Sequence, residues 1–243
     1  MPGTTGDLDS VSDTSGTVLP VGQSSDGVSS QRDAPEECVS QPVEAAFVPS
    51  VSIRVFVDGS TDDLQGIAAG CLIAGVDNAS RASLALPGMT GSELSTLLGI
   101  IFGLMKCFQF RHSYTMFVLM VDDQNAIKHV FGMLDPVGRR GQDLWPAIAL
   151  ARLLVCRLDN MNIKVSVEWV SFRDNLAHHL AREELRYRRD GGWRPVDDCW
   201  PPPLCEAFLE VFQSVATNRR KPFVDLPPFS FSDEVLTALD ILV

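Results

Sequence analysis

The sequence predicts an α/β domain of five strands set between two acidic tails. Three observations predict it. Short β-branched and aromatic runs at Ile53–Asp58, Ile67–Ala74 and Arg81–Leu86 are joined by brief Gly- and Asp-rich connections, as in an antiparallel meander. At Ser92 the apolar period changes from that of a strand to that of a helix. Beyond it, two more strand-like runs, Tyr114–Val121 and Ile163–Val170, alternate with helical stretches.

In the first run, Ile53, Val55 and Val57 alternate with Arg54 and Phe56, which reads as a strand with a buried face. It ends on Asp58 before a Gly59-Ser60 turn. A carboxylate at the mouth of a buried strand is unfavourable unless a cation or backbone N–H groups offset it. Pro87-Gly88 closes the third strand. Leu94, Leu97, Leu98, Ile101, Phe102, Met105 and Phe108 then recur at helical spacing. Ser92 is the expected N-cap, and Glu93 falls in the first turn, where the helix dipole favours a carboxylate. Tyr114–Val121 is apolar nearly throughout, as expected of a strand buried on both faces, and it leads into Asp122-Asp123-Gln124. A short helix follows at Gln124–Phe131, with Asp123 as its cap. Pro136–Gly141, carrying Arg139 and Arg140, reads as a loop, and Asp143–Cys156 as a helix. Asn175–Arg188 is a further helix, with His178 and His179 in its near half. Trp145 and Trp169 sit within apolar periodicity and are assigned to the core. Arg182–Arg189, interrupted by Glu183 and Glu184, is assigned to a solvated face. Leu204–Val215 reads as one more helix, and Ser232–Val243 as a short amphipathic end.

Charge is unevenly placed along the 243 residues, whose net charge is −11. Residues 1–50 carry eight acidic side chains against one basic and few large apolar groups. Such a segment cannot bury enough surface to offset its ordering entropy, and it is expected to be a disordered acidic tail. Residues 51–190, the α/β domain, carry equal numbers of acidic and basic groups. Residues 191–243 form a Pro-rich extension with one or two short helices and eight acidic groups against four basic. This excludes a strongly basic nucleic-acid-binding surface, leaving local clusters at Lys128, Arg139, Arg140 and Arg182–Arg189. The acidic tails are the expected contacts for protein partners.

Six cysteines form no C-x-x-C pair and no Cys/His zinc spacing, which fits a reducing compartment. The N-terminus has no basic n-region followed by an apolar run, and no apolar run reaches the length of a membrane span. The expectation is an intracellular protein, nuclear or cytoplasmic, that is not secreted and engages no membrane.

If the first and fourth strands are parallel neighbours, Asp58 and Asp122 meet at the carboxyl ends of strands, where open α/β sheets bind ligands. Glu93 opens the long helix beside them. Three carboxylates so placed could not all ionise without cations between them. Two divalent ions roughly 3.5–4 Å apart would suit in-line displacement at phosphorus.

The order of motifs resembles a type 1 ribonuclease H domain. Its pieces are V57-D58-G59-S60; the L-P-G-x-T run at Leu86–Thr90 leading into Glu93-Leu94; and V121-D122-D123-Q124 before a helix. Further on come D143-L144-W145, V167-E168-W169-V170, and R173-D174-N175 leading to A177-H178-H179-L180-A181. The ending is similar to plant-type ribonuclease H-like domains, including those attached to retrotransposon reverse transcriptases. The resemblance covers Val51–Arg188. It implies a five-stranded mixed sheet in the order 3-2-1-4-5 with helices on both faces. It also implies Mg²⁺-dependent cleavage of the RNA strand of RNA–DNA hybrids, with Mn²⁺ as the alternative ion and Asp58, Glu93 and Asp122 as catalytic metal ligands. The family's fourth acidic position aligns with His178, or with His179 in the alternative register. An imidazole does not favour Mg²⁺, which prefers oxygen, but it can transfer protons, so His178 joins the expected catalytic set. Gly91-Ser92 stand where the family carries an Asn pair, and its basic substrate-gripping insertion is missing. The alternative function is a non-catalytic ribonuclease H-like module with a structural or interaction role in a larger complex.

Overall fold

The computed structural model describes residues 52–62, 64, 66–76, 79–84, 91–132, 134, 138–189, 202–220 and 230–240. The expected tail at 1–50, the Leu86–Thr90 run and the stretch from Asp190 to Trp200 lie outside them. In chain order the described elements are β1 (Ser52–Asp62), β2 (Gly66–Ile73), β3 (Ala79–Leu84), α1 (Ser92–Gln109), β4 (Met116–Val121), α2 (Gln124–Val130), α3 (Gly138–Asn160), β5 (Lys164–Trp169), α4 (His178–Arg189), α5 (Pro202–Arg220) and α6 (Asp233–Asp240).

The strands form a five-stranded sheet in the order β3-β2-β1-β4-β5. β1 pairs antiparallel with β2, and β2 with β3; β1 pairs parallel with β4, and β4 with β5. This is the mixed sheet and strand order implied by the resemblance. Alternation along β1 divides the core between two faces. Val55 and Val57 point to the α1 side, whereas Phe56 packs with Met120 and Ala177 on the α4 side. α1 is buried from Leu94 through Phe108, because the sheet lies on one side of it and α3 on the other. α5 packs outside α3 and α6 against α5, so that Phe208, Phe212 and Leu239 join the same cluster as Leu97 and Ile148. Among the described residues, no helix is long and apolar enough to cross a membrane.

Several boundaries differ from the sequence expectation. β1 does not end at Asp58. Its pairing with β4 stops at Phe56, but it continues to Asp62 as a hairpin with β2. The N-cap of α1 is Gly91, with no side-chain cap, rather than Ser92, which is the first helical residue. The expected loop at 136–141 is helical from Gly138, and α3 carries Pro146 within its span. Gly138, Gly141 and Pro146 lower local helix propensity, and packing of the long helix overrides it. α3 ends with Asn162 in the left-handed region (φ 59°) and with Ile163 N–H donating to Leu158 O at 3.0 Å, a Schellman closure that turns the chain into β5. α5 extends the expected Leu204–Val215 helix in both directions.

Two assignments of burial are also corrected. Glu184 is fully buried, with Ser83 Oγ donating to its Oε1 at 2.9 Å, and Glu183 pairs with Arg81 at 2.6 Å. The expected solvated face of α4 therefore lies partly against the sheet, because α4 crosses β2 and β3. Trp169 is exposed rather than in the core, since it ends the edge strand β5, whereas Trp145 packs against the core with the Arg152 guanidinium 5.2 Å from its ring centre.

Candidate metal centre

The place where β1 and β4 part fixes the site. β4 ends at Val121, so Asp122 follows beside the point at which β1 leaves it and Asp58 begins the hairpin extension. α1 approaches that point without intervening side chains. A Cβ at Gly59 would collide with the Ser95 carbonyl, and one at Gly99 would stand 2.8 Å from Asp58 O. Glycine is needed at both positions for this backbone-to-backbone approach.

α4 enters from the opposite face. Buried Asn175 donates through Nδ2 to Val57 O at 2.9 Å, and its Oδ1 accepts from Ala177 N–H at 3.1 Å. One side chain thus fastens the entry of α4 to the strand beside Asp58. It delivers His178, whose Nδ1 lies 2.6 Å from Asp58 Oδ2. With Asp58 ionised, Nδ1 carries the proton of this pair, since a carboxylate only accepts. His179 is exposed, so the register that reaches Asp58 is that of His178.

Asp58, Asp122 and His178 form a group whose ligand atoms all lie within 4.8 Å of one another. They border an open cleft of about 460 Å³, with Ser92 and Thr96 of α1 on one side and Gln124 and Asn125 of α2 on another. Burial raises the Asp58 pKa, against the hydrogen bonds from His178 and from Gly59 N–H, which donates to Oδ1 at 2.7 Å. Asp122 is pushed up to about 6, first by burial and then by the Asp58 charge; a hydrogen bond from Asn175 opposes this. Two carboxylates that each resist ionisation, one of them raised further by the charge of the other, are the donor set a divalent cation would satisfy. These residues fit a metal ion. The oxygens suit a hard cation, and the imidazole suits a borderline one such as Mn²⁺ better than Mg²⁺.

Glu93 is not in this trio. Its Oε1 lies 3.7 Å from His129 Nε2, on the side of α2. Asp123 holds the expected capping role, accepting from Asn125 N–H at 2.8 Å and Ala126 N–H at 3.1 Å. The sequence reading gave no task to Asn175 or His129. The R-D-N run before Ala177 carried a signal for the first, and nothing in the sequence carried one for the second. Trp169 was also missed as a neighbour of the site; its Nε1 donates to Asp122 O at 3.1 Å.

No family model matches the sequence, and no curated protein matches it. Solved structures do resemble the chain. The N-terminal RNase H domain of a Mycobacterium tuberculosis protein, fused to maltose-binding protein, is 15% identical with a TM-score of 0.47, covering 58% of this chain and 99% of that one. RNase H1 from the halophilic archaeon Halobacterium salinarum is 19% identical with a TM-score of 0.45, covering 56% and 98%. LC11-RNase H1, solved in complex with an RNA/DNA hybrid, is 14% identical with a TM-score of 0.43, covering 54% and 94%. At such identities no residue receives a role from them. By its sheet order, its strand senses and the helices on both faces of the sheet, the described chain has a ribonuclease H-like fold.

Proposed function

We propose that the protein is a metal-dependent endonuclease of the ribonuclease H kind, cleaving the RNA strand of RNA–DNA hybrids. The observation that carries this reading is the convergence of Asp58, Asp122 and His178 at the parting of β1 and β4. Asp58 and Asp122 would hold the cation, Mg²⁺ or Mn²⁺, which when bound supplies Lewis acidity at a phosphoryl oxygen and a water of lowered pKa. Asp58 also orients His178 through Nδ1, leaving Nε2 to carry a proton to or from the reacting strand. A two-metal scheme needs more carboxylate oxygen than two aspartates offer, and Glu93, at the start of α1, is the residue to supply it. The buried thiols of Cys71 and Cys107, not joined in a disulfide, support an intracellular setting.

The second reading, a non-catalytic module of the same fold, draws support from the pairing of Glu93 with His129. One assay separates the two. The purified protein is given a labelled RNA–DNA hybrid, single-stranded RNA and double-stranded RNA, in Mg²⁺ and in Mn²⁺. The nuclease reading expects the RNA strand of the hybrid alone to be cut, in either metal. An intact hybrid in both metals transfers the conclusion to the non-catalytic reading.

A further inference from the structure

Three large apolar side chains stand in water on one short stretch of chain beside the site. Trp169 at the end of β5 is 54% exposed, Phe172 in the following turn 57% and Leu176 49%. Single exposed apolar residues are ordinary. Here they fall within eight residues, and two of them touch the trio's surroundings. The Trp169 indole is anchored by its N–H to the Asp122 carbonyl. The Phe172 ring meets the His178 ring edge-on, with centroids 6.1 Å apart and an interplanar angle of 64°. The Arg173 guanidinium lies 5.6 Å from the Phe172 ring centre. The exposed aromatic rings thus flank the cluster, one beside Asp122 and the other beside His178.

Core packing does not account for side chains that leave half their surface in solvent. Recognition does. Flat aromatic faces, one with a guanidinium over it, match the π-face of a nucleobase, and the Arg charge matches the adjoining phosphate. The 51–190 domain has no net positive charge, so phosphate neutralisation alone gives it a weak hold on a strand. Stacking supplies attraction that needs no net charge.

We propose that Trp169 and Phe172 form a stacking shelf for unpaired nucleobases. The site would therefore take a duplex with a single-stranded continuation in preference to a blunt one. A base in a duplex is covered by its neighbours and offers only its edges, so a ring can stack on it only where pairing has ended. This inference rests on the nuclease reading of the same site.

The test uses the full chain in EDTA, so that binding is read without turnover. The ligand is a short RNA–DNA hybrid that is blunt, or extended at either end by a single strand bearing 2-aminopurine, or extended by an abasic strand of equal length. The expected result is a Kd about tenfold tighter for one of the base-bearing extensions than for the blunt hybrid. The 2-aminopurine emission should be quenched, and the abasic extension should give no gain. Phe172→Leu, which leaves the Asp122 anchor alone, should bring the ratio of extended to blunt affinity to about one, and Trp169→Leu should lower it. An unfolded variant would show no preference either, so the result counts only with a melting curve like that of the wild type and with blunt-hybrid affinity retained. Equal affinity for blunt and extended hybrids, an equal gain from the abasic strand, or a ratio that survives both substitutions overturns the shelf. Cleavage of blunt hybrid in Mg²⁺ alongside a ratio of one would leave the nuclease reading standing without the shelf. A base-dependent ratio with no cleavage would keep the shelf and remove the nuclease reading.

Discussion

Two acid–imidazole pairs stand near the cleft, and they are built differently. Asp58 and His178 lie 2.6 Å apart, the acid on the central strand and the imidazole on a helix that Asn175 fastens to that strand. Glu93 and His129 lie 3.7 Å apart, both on helices. His129 is committed elsewhere as well, with Nδ1 3.0 Å from Leu134 O and with Arg152 of α3 donating to its carbonyl at 2.8 Å. The first pair is set by backbone on both sides. The second is longer and joins two helix side chains, and it is an ion pair only when His129 is protonated. Asp58 is therefore held to its imidazole more closely than Glu93 is to its own.

If the first pair belongs to the reaction centre, Asp58→Asn should lower hybrid cleavage by about a thousandfold or more, as loss of a metal ligand worth several kcal/mol requires. Residual activity within tenfold of wild type would break the comparison at its strongest point. Glu93→Gln then asks whether the looser pair hides a third ligand. Cleavage should fall by about a hundredfold, and unaltered cleavage would leave Glu93 outside the metal site.

Asn175→Ala should be the costliest change to stability, about 2–3 kcal/mol, because it leaves the Val57 carbonyl and the Ala177 N–H without their partner. Urea denaturation measures it, and a loss below about 0.5 kcal/mol would mean that α4 is held by other contacts.

Asp122→Asn sharpens the electrostatic side. Burial and the Asp58 charge push the folded Asp122 from the usual carboxylate range up to about 6, so the native state holds this proton more tightly than the unfolded chain. Its stabilising contribution is complete below the unfolded pKa and is lost as pH rises to about 6 and beyond. With half-exposure discounted, the difference is about 1–2 kcal/mol. The metal-free wild type should therefore melt lower at pH 7.5 than Asp122→Asn, and the two curves should converge near pH 4. Divalent ions should raise the melting temperature of the wild type and have little effect on the variant. An equal metal shift in both would show that Asp122 holds no ion.

The smallest effect is expected from removing residues 1–50, whose composition offers little to any core. The melting temperature should stay within about 2 °C, and a drop of many degrees would show that the segment packs.

The sheet and its order were legible because period and turn chemistry mark each element, and the motif order joined them correctly. Asp58 and Asp122 were legible for the same reason, as each adjoins a strand that the pattern marks. What failed depended on neighbours that no local pattern records. The alternation in 163–170 does not say that β5 is an edge, so Trp169 read as core. The charges of α4 do not reveal that the helix crosses β3, so Glu184 read as solvated. A carboxylate in the first turn of α1 looks the same whether it turns to a cation or to His129. Asn175 could be seen as a motif letter, but its task became visible only with the Val57 carbonyl opposite.

The backbone contacts at Gly59 and Gly99 carry a mechanical consequence. Where Gly59 and Gly99 bring backbone against backbone, no side chain is there to rotate or compress, so the wall bearing Ser92 and Thr96 moves with the central strand. The cleft has one fixed jaw. Any tightening around a bound strand must come from the α2 side or from the turn carrying Phe172, so a spin label on α2 should report substrate capture that a label on α1 does not register.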